Sequence, residues 1–336
     1  MSLLVAVFFF ILVTAVLGWL ALAFWVETRW PRIICLMYHR LVTRAQHQTI
    51  IGPERLYALP SPEFERQVRW LKRAGYRFVG PAEVVQVVQG IRTPSGPEVL
   101  ITFDDGCRSV WSLGMPILKR HGVPAVVFVT TDSTSTVFAS GDSNQAKMTD
   151  EQLVSLSLMR IEIHSHTVTH RPLVTLPDDE LEMELRQSQR VLEDTAGASV
   201  KYLSIPGNWF DERVQKVASL CGYEGVWCSN PGTVCGARDA YEIPRLNVDG
   251  DLTLRQFAWT ISSTGVVWCR IVASAKRLIK YCAGYSGWMN CRQHVLSCLP
   301  GANISKRRAF WLAFATVCAL ALVALGLFIV LLCRYG

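Results

Sequence analysis

The chain has 336 residues, half of them apolar, with 11 cysteines, 7 histidines and a formal charge of +7. That much apolar material can bury a full core and, with its two ends set aside, suits one large domain rather than a chain too polar to fold. The odd, scattered cysteine set argues against a secreted disulfide framework, and no nucleic-acid-binding motif accompanies the basic charge.

Residues 3–25 carry no charge, and neither do residues 309–333. Each stretch exceeds the roughly 20 residues a helix needs to cross a bilayer. The first lacks a basic leading region and outruns the ~7–15 apolar residues of a signal peptide, so it reads as a retained span. The expectation is an integral membrane protein with two transmembrane helices, residues 1–28 and 309–336, both opening to the same side. Arg29 and Arg32 follow the first stretch, and Lys306, Arg307 and Arg308 precede the second. This flanking charge favours the cytoplasmic face.

Between the spans lie a domain at residues 29–265 and a basic, aromatic juxtamembrane region at 266–308. The latter suits either an anionic membrane interface or a solvated linker. Inside the domain, strand and helix alternate. Residues 33–38 (IICLMY) read as a strand; Ser61-Pro62 opens a helix with Phe64, Val68 and Leu71 on one face and Gly75 as its stop. Residues 78–79 form the next strand, 81–89 a helix, and 99–103 a strand buried on both faces. A helix over 109–120, a strand over 125–130 and a polar loop over 131–147 follow. Helices over 150–158, 178–194 and 211–220 then alternate with strands at 161–166, 202–205, 225–229 and 241–248. Such alternation predicts a parallel sheet with helices outside, open or closed into a barrel, with its chemistry at the C-terminal strand ends. Cys221, Cys228 and Cys235, seven residues apart, do not have a zinc-ribbon spacing and read as structural.

Two motifs carry chemistry. The run VLITFDDG, residues 99–106, ends a strand in two carboxylates, whose repulsion needs a cation or a proton to offset it. Neighbours on extended backbone point opposite ways, so one carboxylate can hold a cation while the other faces a reacting water. The run EIHSHTVTH, residues 162–170, puts His166 and His170 at i, i+4, able to face one metal across a helical turn. Two histidines and an aspartate leave a coordination position open, as metal-assisted hydrolysis requires. His164 shares a strand face with His166 and reads as a group behind the ligands or a plain surface histidine, the latter favoured.

TFDDG (residues 102–106) with HTVTH (residues 166–170) resembles the NodB-homology polysaccharide deacetylases, carbohydrate esterase family 4. LMYHRL, SPEFERQVRWLKRAGYRFV and YEIPRLNV, beginning at Leu36, Ser61 and Tyr241, resemble its poly-N-acetylglucosamine deacetylase branch. The resemblance implies a distorted (β/α)7-type barrel and hydrolysis of an acetamide on an N-acetylated amino sugar, in a polysaccharide or a glycolipid. By position, Asp105, His166 and His170 would hold a divalent metal, Zn2+ or else Co2+ or Ni2+, and Asp104 would be the general base. Thr167 and Thr169 would orient the ligands. His39, Pro206 and Asn208 are candidates for substrate contact.

The chain departs from the family in its third motif, often Arg-x-Pro-aromatic, which here reads LSIPGNWF at residues 203–210. There is no arginine, and Gly207 stands where an aromatic is expected. Gly207 can still offer a backbone N–H to an oxyanion, and Arg245 is the candidate to hold Asp104. The late Leu-x-His motif that usually supplies a general acid is also absent; His294 is the only histidine after His170. The alternatives are a deformylase or other amide hydrolase on a lipid-linked aminosugar, and a catalytically silent glycan-binding module.

Overall fold

The structure, a computed structural model, describes residues 31–138, 145–159 and 161–274, with isolated positions beyond them. The chain divides into two compact units, Trp30–Ser262 and a second made of Met1–Arg29 with Ser263–Gly336. The first carries the sheet and the site.

In chain order its strands are β1 (Arg32–Tyr38), β2 (Arg40–Val42), β3 (Ala58–Pro60), β4 (Arg77–Phe78), β5 (Pro97–Phe103), β6 (Ala125–Val129), β7 (Ile161–Ser165), β8 (Tyr202–Ser204), β9 (Gly225–Trp227) and β10 (Leu246–Asn247). One curled sheet runs β10-β1-β5-β6-β7-β8-β9, parallel throughout, with β4 paired to the start of β5. β2 and β3 form a separate parallel pair. Burial on both faces explains why β6 (AVVFV) is apolar at every position. Cys35, Leu100, Val126, Phe128, Tyr202 and Trp227 pack together in the core.

The two edges of the sheet are joined through one segment. Ile243 exchanges backbone hydrogen bonds with Val226 and Cys228 beside β9, whereas Leu246 pairs with Leu36 of β1. The strand expected over 241–248 is therefore broken, because its residues change partner midway and only Leu246–Asn247 keep strand form.

Helices cover the sheet where capping and apolar spacing place them. Ser61–Arg73 begins at Ser-Pro and buries Phe64, Gln67, Val68 and Leu71. The helix expected over 109–120 starts instead as a π-helical turn, Val110–Gly114, before Met115–His121. Arg44–Thr49 and Leu254–Thr260, both absent from the sequence reading, are each closed by a Thr-x-x-Gln capping box, Thr43 with Gln46 and Thr253 with Gln256. Because the strands are parallel, their C-terminal ends gather on one side, bringing together the residues after β1, β5, β7 and β8.

The two-span, integral membrane expectation is corrected here. Among the described residues no helix is long and apolar enough to cross a membrane. The long helix Asp178–Ala196 has the length, 19 residues, but is amphipathic, opening with Asp178, Asp179 and Glu180. The stretches 3–25 and 309–333 lie outside the described residues apart from Val7, Thr14, Gly18 and Ala21, as does most of 266–308, including His294.

Candidate functional site

β5 delivers Asp104 and Asp105 to the gathered strand ends. Asp104 still follows the sheet, its N–H donating to Tyr38 O at 2.9 Å. Asp105 does not: its φ is +71° and that of Gly106 is +83°. The carboxylates therefore separate through a left-handed turn rather than by strand alternation. A Cβ on Gly106 would stand 2.9 Å from Val129 Cγ1, so this turn needs glycine for space as well as for conformation.

Asp104 is buried against Arg245, which is itself 0 % exposed. Arg245 Nη1 donates to Asp104 Oδ1 at 2.6 Å and Nη2 to Oδ2 at 2.8 Å. The same guanidinium donates from Nη1 to Thr102 Oγ1, from Nη2 to Ser204 Oγ and from Nε to Cys228 O. Its five N–H groups thus have five acceptors, which makes its burial tolerable. Ser204 Oγ in turn donates to Asp104 Oδ2 at 3.1 Å. Burial opposes charge on Asp104, yet Arg245 outweighs it and holds the carboxyl well below the usual carboxylate range.

Asp105 has the opposite environment. Its Oδ1 lies 3.6 Å from His166 Nε2 and 3.6 Å from His170 Nε2. Burial pushes its pKa up to about 6. Burial also pushes His166 down to about 3 and lowers His170. His166 Nδ1 lies 2.8 Å from the carbonyl oxygen of Ser204, which only accepts. Nδ1 therefore bears the proton, and the Nε2 lone pair points to the site.

The loop joining the two histidines is not helical. Thr167 and His170 are left-handed, with φ of +66° and +63°, and the ring centroids lie 4.9 Å apart. Thr167 Oγ1 accepts from His170 N at 3.1 Å, while Thr169 bonds Glu184. His164 is not a surface group: it is 3 % exposed and stacks edge-on against Tyr202.

One ligand atom each from Asp105, His166 and His170 lies within 4.8 Å of the others. Ligands bonded at about 2.0–2.2 Å to one ion stand roughly 3–3.5 Å apart, close to the spacing observed. Two neutral imidazoles and a partly buried carboxylate without an arginine of its own lack positive charge, so the set fits a divalent cation.

The remaining candidates line the same end. His39 follows β1, stacks on Tyr57 with centroids 4.7 Å apart, and has a buried Nδ1 without a hydrogen-bond partner. Pro206 and Gly207 form the turn after β8, and Gly207 has φ of +60°. Asn208 is engaged within the protein, its Oδ1 accepting from Ser229 N and its Nδ2 donating to Asn230 Oδ1. The sequence reading missed Thr102, Ser204, Glu184 and Tyr57. Glu184 alone left a legible signal, an acid on the helix face shared with Leu181 and Leu185.

A curled parallel sheet thus carries an arginine-held carboxylate and an Asp-His-His cluster together at its C-terminal end. Residues 91–226 match the family model for polysaccharide deacetylase. A Bacillus subtilis protein named as a polysaccharide deacetylase, YxkH, is 26% identical over 240 residues, covering 71% of this chain and 80% of its own. The poly-beta-1,6-N-acetyl-D-glucosamine N-deacetylase of Staphylococcus epidermidis is 23% identical over 202 residues, 58% of this chain and 69% of that one. Among solved structures, the Streptococcus pyogenes deacetylase PplD, in complex with acetate, superposes with a TM-score of 0.59 at 21% identity, over 69% of this chain and 98% of that one. IcaB from Ammonifex degensii gives 0.58 at 23%, over 71% and 97%. Residues 91–226 are thus a polysaccharide deacetylase domain of the NodB type, and the protein is a hydrolase of carbon–nitrogen bonds other than peptide bonds.

Proposed function

We propose that the protein removes acetyl groups from N-acetylated amino sugars of a polysaccharide, as the names of its relatives suggest, with Asp105, His166 and His170 holding a divalent cation. The observation that carries this reading is the division of labour between adjacent aspartates: Asp104 is clamped ionised by Arg245, and Asp105 faces the Nε2 atoms of two imidazoles. A bound divalent cation would supply Lewis acidity, easing deprotonation of water and polarising the acyl carbonyl. Asp104, whose Oδ2 lies 4.0 Å from His166 Nε2, accepts the proton of the attacking water as general base. Arg245 keeps the base ionised and fixes its orientation. Gly207 offers its N–H to the developing oxyanion. The proton returns to the leaving amine from Asp104, with His39 a further proton carrier at the same end. His39 is held neutral by burial against the pull of both aspartates. The complete bonding of Asp104 and Arg245 favours this over a silent binding module.

The test is acetate release from N-acetylglucosamine oligomers by chelated protein resupplied with zinc, cobalt or nickel, beside Asp104→Asn. Release restored by metal and lost in the variant is expected. No release, with cation shown to be bound, would overturn the acetyl assignment in favour of another acyl group.

A further inference from the structure

The five backbone N–H groups from His166 to His170 lie in a loop, yet each is bonded. His166 N donates to Val129 O at 2.9 Å. Thr167 N donates to Ser165 Oγ at 3.2 Å, and His170 N to Thr167 Oγ1 at 3.1 Å. The two in the middle, Val168 N and Thr169 N, both donate to Glu184 Oε2, at 2.8 and 2.9 Å. Thr169 Oγ1 donates to Glu184 Oε1 as well, and Arg171 Nη2 stands 3.4 Å from that oxygen.

Glu184 is 2 % exposed and lies on the buried face of the helix Asp178–Ala196. A carboxylate there is costly unless its oxygens are bonded, and all the bonds it makes go to the loop between the histidines or to Arg171. One turn further along, Ser188 Oγ lies 2.7 Å from Ser165 Oγ, which holds Thr167 N. One helix thus braces the loop at its start and at its middle. The loop needs the bracing, because Thr167 and His170 adopt left-handed backbone that side-chain-bearing residues keep only when their surroundings hold it.

We infer that Glu184 is a positioning residue for the cation site: by capturing the N–H groups of Val168 and Thr169, it fixes the turn that brings His170 back beside His166. The inference rests on the reading of Asp105, His166 and His170 as cation ligands. Glu184 does not face that triangle; it acts through the backbone between two of its members.

The test uses the full chain, stripped of metal and titrated with Co2+ against a competing chelator, with the visible spectrum of the loaded protein as a report on ligand geometry. Glu184→Leu suits the apolar face but removes both acceptors. It is expected to weaken Co2+ binding by about 10–100-fold and to alter the spectrum, the usual scale for losing a group that orients metal ligands. Glu184→Gln retains an oxygen for both N–H groups and is expected to stay within about threefold of the unaltered protein. Unaltered affinity and spectrum in Glu184→Leu would overturn the inference, as would equal losses in the two variants. Should Glu184→Leu fail to fold, Thr169→Val decides: it removes one hydroxyl from Glu184, a severalfold weakening is expected, and none would overturn the inference. Failure of the unaltered protein to take up Co2+ is a separate outcome that overturns the cation reading itself.

Discussion

Arg245 and Asp104, 141 positions apart in the chain, meet through two hydrogen bonds of 2.6 and 2.8 Å, with both side chains buried. A planar fork matched to a carboxylate fixes orientation as well as charge, which lysine cannot do.

Arg245→Lys should accordingly fold and retain cation binding but lose turnover. General acid–base catalysis contributes about 10²–10⁴-fold, and Asp104→Asn should lose all of that. The lysine variant should fall between Asp104→Asn and the unaltered protein in kcat. Steady-state kinetics on an N-acetylglucosamine oligomer, with cation occupancy measured in parallel, checks both.

Asp105 gives a prediction of opposite sign. Its pKa rises from 3.8 to about 6 on folding, so the favourable contribution is complete below 3.8 and is lost as pH rises through 6. At pH 7 the metal-free protein carries a poorly solvated charge it would be more stable without. Asp105→Asn should therefore stabilise the metal-free protein by about 1–3 kcal/mol at pH 7, less at pH 5, while abolishing cation binding. Thermal unfolding across this range, with and without chelator, reads the effect.

Glu98 behaves in the conventional direction. Burial would raise its pKa, but Arg92, Arg77 and the Ser95 N–H override burial and hold it at about 2 against an ordinary 4.5. Its stabilisation is present above 4.5 and drains away as pH falls toward 2. Arg77 and Arg92 are partly solvated and can rehydrate, so Glu98→Gln should cost about 1–3 kcal/mol at pH 7. The difference from the unaltered protein should shrink in acid, as denaturation at pH 7, 4 and 3 would show.

Gly250 packs against the carbonyl oxygens of Ala58 and Arg55, where a Cβ would overlap both. Backbone cannot step aside as a flexible side chain can. Gly250→Ala should destabilise by about 1–3 kcal/mol or more. It should also shift the segment that carries Tyr57 against His39, so activity should fall further than stability alone explains. Comparing kcat/KM with the fraction folded at the assay temperature separates the two effects.

Much of the architecture is readable from the chain because parallel strands buried on both faces are unbroken apolar runs, as in β5 and β6. The two motifs at Asp104–Asp105 and His166–His170 are readable because carboxylates and imidazoles are conspicuous at the ends of such runs. The backbone that aims them is not. Left-handed φ at Asp105, Thr167, His170 and Asn208 is a minority conformation for any side-chain-bearing residue, most of all for β-branched Thr167, and distant partners such as Glu184 and Thr130 hold two of these turns. β2 and β3, three residues each, are too short to show a period. The Thr-x-x-Gln boxes at Thr43 and Thr253, by contrast, were visible signals of the two helices overlooked.

Arg245 lies within the segment that bonds both edges of the sheet, between Ile243 at β9 and Leu246 at β1. Until that segment docks, Asp104 has no guanidinium to keep it charged, whatever else has already folded. On the role proposed for Asp104, hydrolysis has to wait for this segment to join the two edges. During synthesis a nascent chain still short of this segment can bury its apolar runs without being able to cut an amide, and recovered turnover after refolding is a clock for that closing step.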